Sequence, residues 1–324
     1  MRFVHIALPE LSEGELDTGA DFLGHRTKLP FFISCMTGGS AGGFKANKEL
    51  ARAAEMLGIP VGVGSLRVLV ENPSLFAQFN IKPLAPSVPL LANLGAVQMR
   101  DMDRPAVYEI LKRLEAQALV IHINPGQELF QPEGDRDFRG LKEAIANVCE
   151  ECPLPVIVKE TGFGIAPHLV RELLASGAAY VDLAGSGGTN WILVEAYRQP
   201  EEMDAAAQFA DWGIPTAVLL ASFGGRQIRL LASGGVRGGL DAAKALAMGA
   251  QLVGFALPVI REVVAGGADA VISFFRRLEK ALRTTMLLSG SKDIPALRRA
   301  ATWRESNFSA QLNAFLRAES FARG

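Results

Sequence analysis

Eight short apolar runs recur along the chain, at 29–36, 59–65, 89–95, 118–124, 155–160, 180–185, 228–235 and 251–258. Each is apolar throughout rather than alternating. That is the pattern of a parallel strand covered on both faces. Amphipathic segments follow them. The stretch 47–58 ends on Gly58, a C-cap residue type, and 103–117 opens with Asp103 and Pro105, as an N-cap and first turn do. Segments 141–151, 167–177 and 239–249 follow later runs in the same way. Eight strand–helix units predict an α/β chain folded as a (β/α)8 TIM barrel. Residues 1–28 read as an irregular lead-in and 29–324 as one barrel domain. Within it, 203–225 is a longer insert with a Gly-Ile-Pro break, and the last 65 or so residues are helical and close the barrel. A doubly wound open sheet would carry G-x-G-x-x-G after its first strand. Here the first run enters "MTGGSAGG", whose spacing does not match.

The net charge is −1 over 324 residues, which leaves no electrostatic footprint for nucleic acid. No apolar run reaches the ~18 residues of a membrane span, and no signal-peptide pattern follows Met1, so a cytoplasmic protein is expected. The three cysteines are Cys35, Cys149 and Cys152. The C-x-x-C of Cys149 and Cys152 lacks a second ligand pair for zinc and reads as two free thiols at a helix end.

A barrel of this kind places its site at the carboxyl ends of the strands. Several polar residues fall there. The fourth run leads into "HINPGQELFQPEGDRDF", with His122, Asn124, Gln127 and Glu128. His122 and Asn124 are two apart and share a face. Glu128 is either a solvated acid or one carboxylate of a Mg2+ site completed by water and substrate phosphate. Lys159 ends "PVIVK"; it either reaches solvent or meets an anion, and a cation there suits the electron-rich edge of a reduced flavin. The glycine turns "GSGGTN" and "SGGVRGG" are either tight connections or anion cradles built from backbone N–H groups at helix starts.

Together, "MTGG" (36–39), "HINPGQELFQPEGDRDF" (122–138), "VKETGFG" (158–164), "GSGGTNW" (185–191) and "SGGVRGGLDAAKALAMGA" (233–250) resemble the type 2, FMN-dependent isopentenyl-diphosphate isomerases. The resemblance implies an FMN-bound barrel that interconverts isopentenyl and dimethylallyl diphosphate with reduced FMN and Mg2+, NADPH serving as flavin reductant. It implies a homotetramer or homo-octamer. It places Cys35, Met36, Thr37, Ser65, Asn93, Lys159, Ala184 and Thr189 against the flavin. Gly234, Gly235, Val236, Arg237, Ala256 and Leu257 would surround its phosphate. His122, Asn124, Gln127 and Arg67 would bind the substrate, and Glu128 the metal. Gln127, Glu195, His122 and Trp191 would form the catalytic group; Trp191 otherwise reads as a core aromatic and Glu195 as a surface helix acid.

The sequence departs from that family in three places. The Arg-Lys pair and histidine of the family's N-terminal segment have no match: "MRFVHIALPE" resembles the stretch after it, and Arg2 and His5 are poor replacements. Two lost charge-assisted contacts correspond to ~3–6 kcal/mol of substrate binding. The start then lies upstream, or another basic group substitutes, or the activity is lost. Leu66 stands in "GSLR" where an amide is usual, and Ala184 where Ser or Gly is common. Two other readings follow: a non-catalytic FMN-binding relative, and an FMN-barrel hydroxy-acid oxidase. The oxidase reading needs a late-loop histidine, and the four histidines are at 5, 25, 122 and 168.

Overall fold

A computed structural model describes residues 1–224 and 228–321. Eight parallel strands close into a barrel: β1 Phe31–Ile33, β2 Val61–Ser65, β3 Leu90–Gly95, β4 Ala118–Ile123, β5 Val156–Glu160, β6 Tyr180–Asp182, β7 Leu230–Ala232 and β8 Leu252–Phe255. β8 returns to pair with β1 through Val253 and Phe31, which closes the ring. All eight apolar runs become strands, because only a two-sided environment of helices and barrel interior buries an unbroken apolar run. Residues 225–227 and 322–324, which hold the close of the expected insert and of the barrel domain, lie outside the described set.

Alternation along each strand sorts the barrel interior into two layers. Phe32, Leu91, Ala118, Val120, Ile157, Leu231 and Leu252 pack as one buried apolar cluster at the floor, joined by Tyr180. Two residues onward on the same faces come Asn93, His122, Lys159, Asp182 and Ser233. The floor is dry and the mouth polar.

The lead-in is not without order. Ala20–Phe22 and His25–Thr27 form an antiparallel hairpin, and Arg2–Phe3 pairs with Thr302–Trp303. The hairpin inserts Phe22 into the floor cluster, its ring 5.0 Å from that of Tyr180. Phe22 is 1% exposed. We expect Phe22→Ala to lower the unfolding free energy by about 3–5 kcal/mol, read from denaturant midpoints, because the site has little freedom to collapse.

The helices refine the sequence reading at their starts. The first runs Ala41–Leu57 rather than from 47, since the Ser40 side chain accepts the Gly43 N–H and caps the glycine-rich segment into the helix. Leu141–Glu151 falls where expected. The insert gives Met203–Ala207 and Thr216–Ser222 on either side of its Gly-Ile-Pro break. The C-terminal helices are Leu257–Leu288, Ile294–Arg299 and Ser306–Phe321. The first of these is interrupted at Gly266 and Gly267, where Glu49 accepts the Ala268 N–H and caps the second half. Among the described residues no helix is long and apolar enough to cross a membrane.

Candidate active site

The polar run after β4 opens with a short helix, Pro125–Phe130, and continues as non-helical chain to Gly140. Pro125 at its first turn fixes the backbone, and the run's Gln127 and Glu128 then project from adjacent positions. Their side chains join one chain of hydrogen bonds. Asn124 Nδ2 donates to Gln127 Oε1 (3.2 Å) and to Glu128 Oε1 (2.8 Å). Gln127 Nε2 donates to Glu195 Oε1 (2.8 Å). Arg198 Nη1 holds the other oxygen of Glu195 at 2.7 Å. Glu195 is buried, so it is no surface acid; it belongs to the helix Trp191–Ala196, which Asn190 caps. With both its oxygens taking donors, Glu195 fixes which way the Gln127 amide faces.

Glu128 presents a carboxylate at the mouth. Its Oε2 accepts the Asp135 N–H (2.9 Å), and Arg136 binds its backbone carbonyl. Among the described residues no group of three or more His, Cys, Asp and Glu side chains could hold a metal. A cation here would rely on Glu128, water and a phosphorylated ligand, the usual arrangement for Mg2+.

His122 on β4 lies 3.0 Å from Asn93 Oδ1 through its Nδ1. Asn93 Nδ2 donates to the Val120 carbonyl (3.3 Å), so its Oδ1 is the acceptor and His122 Nδ1 carries the proton. Nε2 is then an acceptor. Burial, with the Lys159 and Arg67 charges adding to it, pushes the His122 pKa down to about 3. The ring is therefore neutral through the working range. Unfolded histidine takes its proton near 6.5. The folded state does so only at about 3, so stability present above the unfolded value is lost as pH falls from about 6.5 towards 3. His122→Asn should flatten that limb in unfolding free energy measured against pH.

Lys159 is buried near the interior end of β5, and its Nζ donates to the Glu160 carbonyl (2.7 Å). Glu160 faces the other side. Its Oε2 takes the N–H groups of Gly162, Phe163 (both 2.5 Å) and Gly164 (3.2 Å), which resist the upward pKa pressure of burial and shape the loop after β5. Sequence reasoning passed over Asp182. It is buried on β6 beside Lys159 in register, and Ser233 Oγ lies 2.8 and 2.9 Å from its two oxygens. The one available signal was an acid within the apolar run "YVDLAG", in phase with the interior-facing Tyr180.

The two glycine turns pack face to face. A Cβ on Gly188 would lie 2.8 Å from Gly235 N, and one on Gly235 would lie 2.7 Å from the Gly187 carbonyl carbon. Gly187, Gly234 and Gly235 have φ of 122°, 90° and 76°, in the region that favours glycine. Arg237 Nη2 donates to Gly187 O (2.9 Å) and joins the turns. The helix Gly239–Ala247 begins directly after, and Ala256 and Leu257 start the helix Leu257–Leu288. Bare backbone and two helix starts at one rim fit a phosphate tail, while the buried Lys159 fits the flavin ring edge. Ala184 has φ 38°, which bends the chain out of β6 towards Thr189 and Trp191. Cys35 lies after β1 with its thiol pushed up to about 12 by burial, hence uncharged. Thr37 Oγ1 contacts Asn47 (2.5 Å), Ser65 Oγ accepts the Arg67 N–H (3.3 Å), and Arg67 pairs loosely with Glu71 at 3.9 Å. Met36 and Val236 pack on the main core.

A cavity of about 540 Å³ lies alongside, lined by Ile123, Gly126, Phe163, Ile165, Trp212 and Ile214 among others. It shares the Pro125–Phe130 helix with the polar site and is lined in part by the motifs 122–138 and 158–164, but by none of the residues given a role from the sequence. Phe130, Phe209 and Trp212 stack edge-on at 5.9 and 5.8 Å and tie the insert to that helix.

Residues 124–304 match the family profile of FMN-dependent dehydrogenases. An isopentenyl-diphosphate delta-isomerase of Borrelia garinii subsp. bavariensis is 43% identical over 316 residues, covering 97% of this chain and 89% of that one. The chain belongs to this FMN-dependent isomerase family. A second isopentenyl-diphosphate delta-isomerase, of Thermococcus kodakarensis, is 41% identical over 310 residues, covering 92% of this chain and 83% of its own. Among solved structures, a mandelate oxidase variant superposes with TM-score 0.63 at 21% identity, covering 94% of this chain and 88% of its own. A lactate oxidase described as putative, of Pediococcus acidilactici, gives TM-score 0.66 at 19% identity, covering 93% and 82%. These two share the barrel, and the isomerase family shares the sequence. Cys149 and Cys152 are both free thiols, as expected.

Proposed function

We propose that this protein interconverts isopentenyl and dimethylallyl diphosphate. The change moves one double bond: a proton is added at the terminal methylene carbon and another leaves the carbon two bonds nearer the diphosphate. Reduced FMN, when bound, supplies acid/base chemistry at those carbons. The observation that carries the reading is the Asn124–Gln127–Glu195 chain standing beside Glu128 at the mouth of a glycine-cradled barrel.

In this reading Asn124, His122 and Arg67 bind the diphosphate end and Glu128 anchors its Mg2+. Neutral His122, with its proton on Nδ1, would meet the diphosphate end at Nε2 through a bridging water or a protonated phosphate oxygen. Glu195 would fix the Gln127 amide toward the reacting end, where the amide would orient the reacting carbons, and Trp191 would wall the hydrocarbon from water. The residues from Cys35 to Thr189 named for the flavin line its ring. The rim from Gly234 to Arg237, with Ala256 and Leu257, takes its phosphate. Residues 29–324 would form the FMN domain, NADPH the electron source, and a cytoplasmic homotetramer or homo-octamer the assembly. Protein loaded with FMN, reduced anaerobically and given isopentenyl diphosphate and Mg2+ in deuterium oxide should place deuterium at the allylic positions. FMN retention with no deuterium uptake and no calorimetric diphosphate binding would instead support a non-catalytic relative. Turnover of a 2-hydroxy acid would support an oxidase.

A further inference from the structure

We propose that Asp182 is a positioning residue of the flavin site: it counters the Lys159 charge and ties together the loops after β6 and β7 that frame the cofactor. The inference rests on the flavin reading of the barrel mouth. Lys159 and Asp182 are register partners on adjacent parallel strands, so both side chains enter the barrel interior on one level. Both are buried, at 8% and 2% exposure. Two opposite buried charges at one level of the polar mouth compensate each other, the Lys159 charge favouring ionised Asp182.

The surroundings of Asp182 are donors. Ser233 Oγ reaches both carboxylate oxygens, and the backbone N–H groups of Ser233 and Ala184 also hydrogen-bond to it. A carboxylate accepts at about four sites and donates at none, so this shell matches the ionised form. Burial pushes the Asp182 pKa up, while Lys159 and these donors oppose it. Of the neighbouring titratable groups the His122 ring and the Cys35 thiol are neutral, and Glu160, which also feels the Lys159 charge, faces the other side with three backbone N–H groups on its own carboxylate. Ala184 is also the residue with left-handed backbone, and Ser233 precedes the Gly234–Gly235 turn. One carboxylate thus clamps the start of both glycine loops while setting the net charge below them near zero.

The consequence is electrical. Lys159 favours an electron-rich flavin and Asp182 opposes it. Potentiometric titration of the FMN-loaded protein tests this by absorbance against a reference dye. Asp182→Asn should favour reduced over oxidised FMN at least tenfold, an upward shift of about 30 mV for a two-electron couple. Lys159→Met should shift the potential down. The double variant should return to within about twofold of wild type, because it removes two opposite charges and leaves the net charge unchanged. An unchanged potential in Asp182→Asn, or shifts of the same sign in both single variants, overturns the counter-charge. If Asp182→Asn fails to hold FMN, Ser233→Ala decides. It removes the hydroxyl from the carboxylate but keeps the charge, and should weaken FMN binding at least threefold. Unchanged binding there overturns the clamp. Wild-type protein that takes up no FMN defeats the flavin reading itself, a result distinct from either.

Discussion

Gln127→Ala in the reduced, FMN-loaded protein is expected to slow allylic deuterium exchange by about 10²–10³, the range lost with one positioned hydrogen-bonding amide. The fold should survive, because Gln127 is only half-buried and its helix keeps Pro125, the Glu128 bonds to Asn124 and Asp135, and the Phe130–Phe209 contact. The loss should fall on the rate at saturation more than on KM, since Gln127 bonds to Glu195 and not directly to the Glu128 carboxylate. Glu195→Gln is the companion test. It keeps the volume but loses the pair with Arg198, so the amide of Gln127 loses its fixed orientation. Rates measured by nuclear magnetic resonance under anaerobic conditions read both. Full activity in Gln127→Ala would remove Gln127 from the mechanism.

Gly235→Val is expected to abolish FMN retention. The residue has φ 76°, and its Cβ would press on the backbone of Gly187, which no side-chain rearrangement relieves. A β-branched residue in left-handed backbone costs of order 1–3 kcal/mol before that clash is counted. The two turns must then separate, and the rim of N–H groups between them opens. The protein should purify colourless and fail to regain flavin absorbance when FMN is added, with near-normal circular dichroism. Retained yellow colour would show that the turns do not hold the phosphate.

The barrel was legible because burial on both faces writes itself into eight unbroken apolar runs. Strand ends and glycine turns followed from that count. The Pro125–Phe130 helix was not legible. Its residues face a polar mouth, so they carry no apolar period, and a helix of six residues leaves little pattern to find. The hairpin Ala20–Phe22 with His25–Thr27 escaped for a related reason, being three residues to a side with one buried aromatic. Glu195 had the right type and position, but whether an isolated helix acid is buried is settled only by Arg198 and Gln127 closing over it. Asp182 was hidden by its own strand. Its importance comes from Lys159 and Ser233, which lie 23 residues before it and 51 after it in sequence and meet it only once the sheet closes.

Phe22 seals the end of the barrel opposite the polar rim. Among the described residues the chamber is therefore a well closed at its floor and open at the polar rim. On the proposed reading, whatever donor feeds electrons to the flavin would come in by the same rim as the prenyl anion. The two visitors must take turns, so charging precedes loading, and a protein already holding its hydrocarbon guest should resist being recharged.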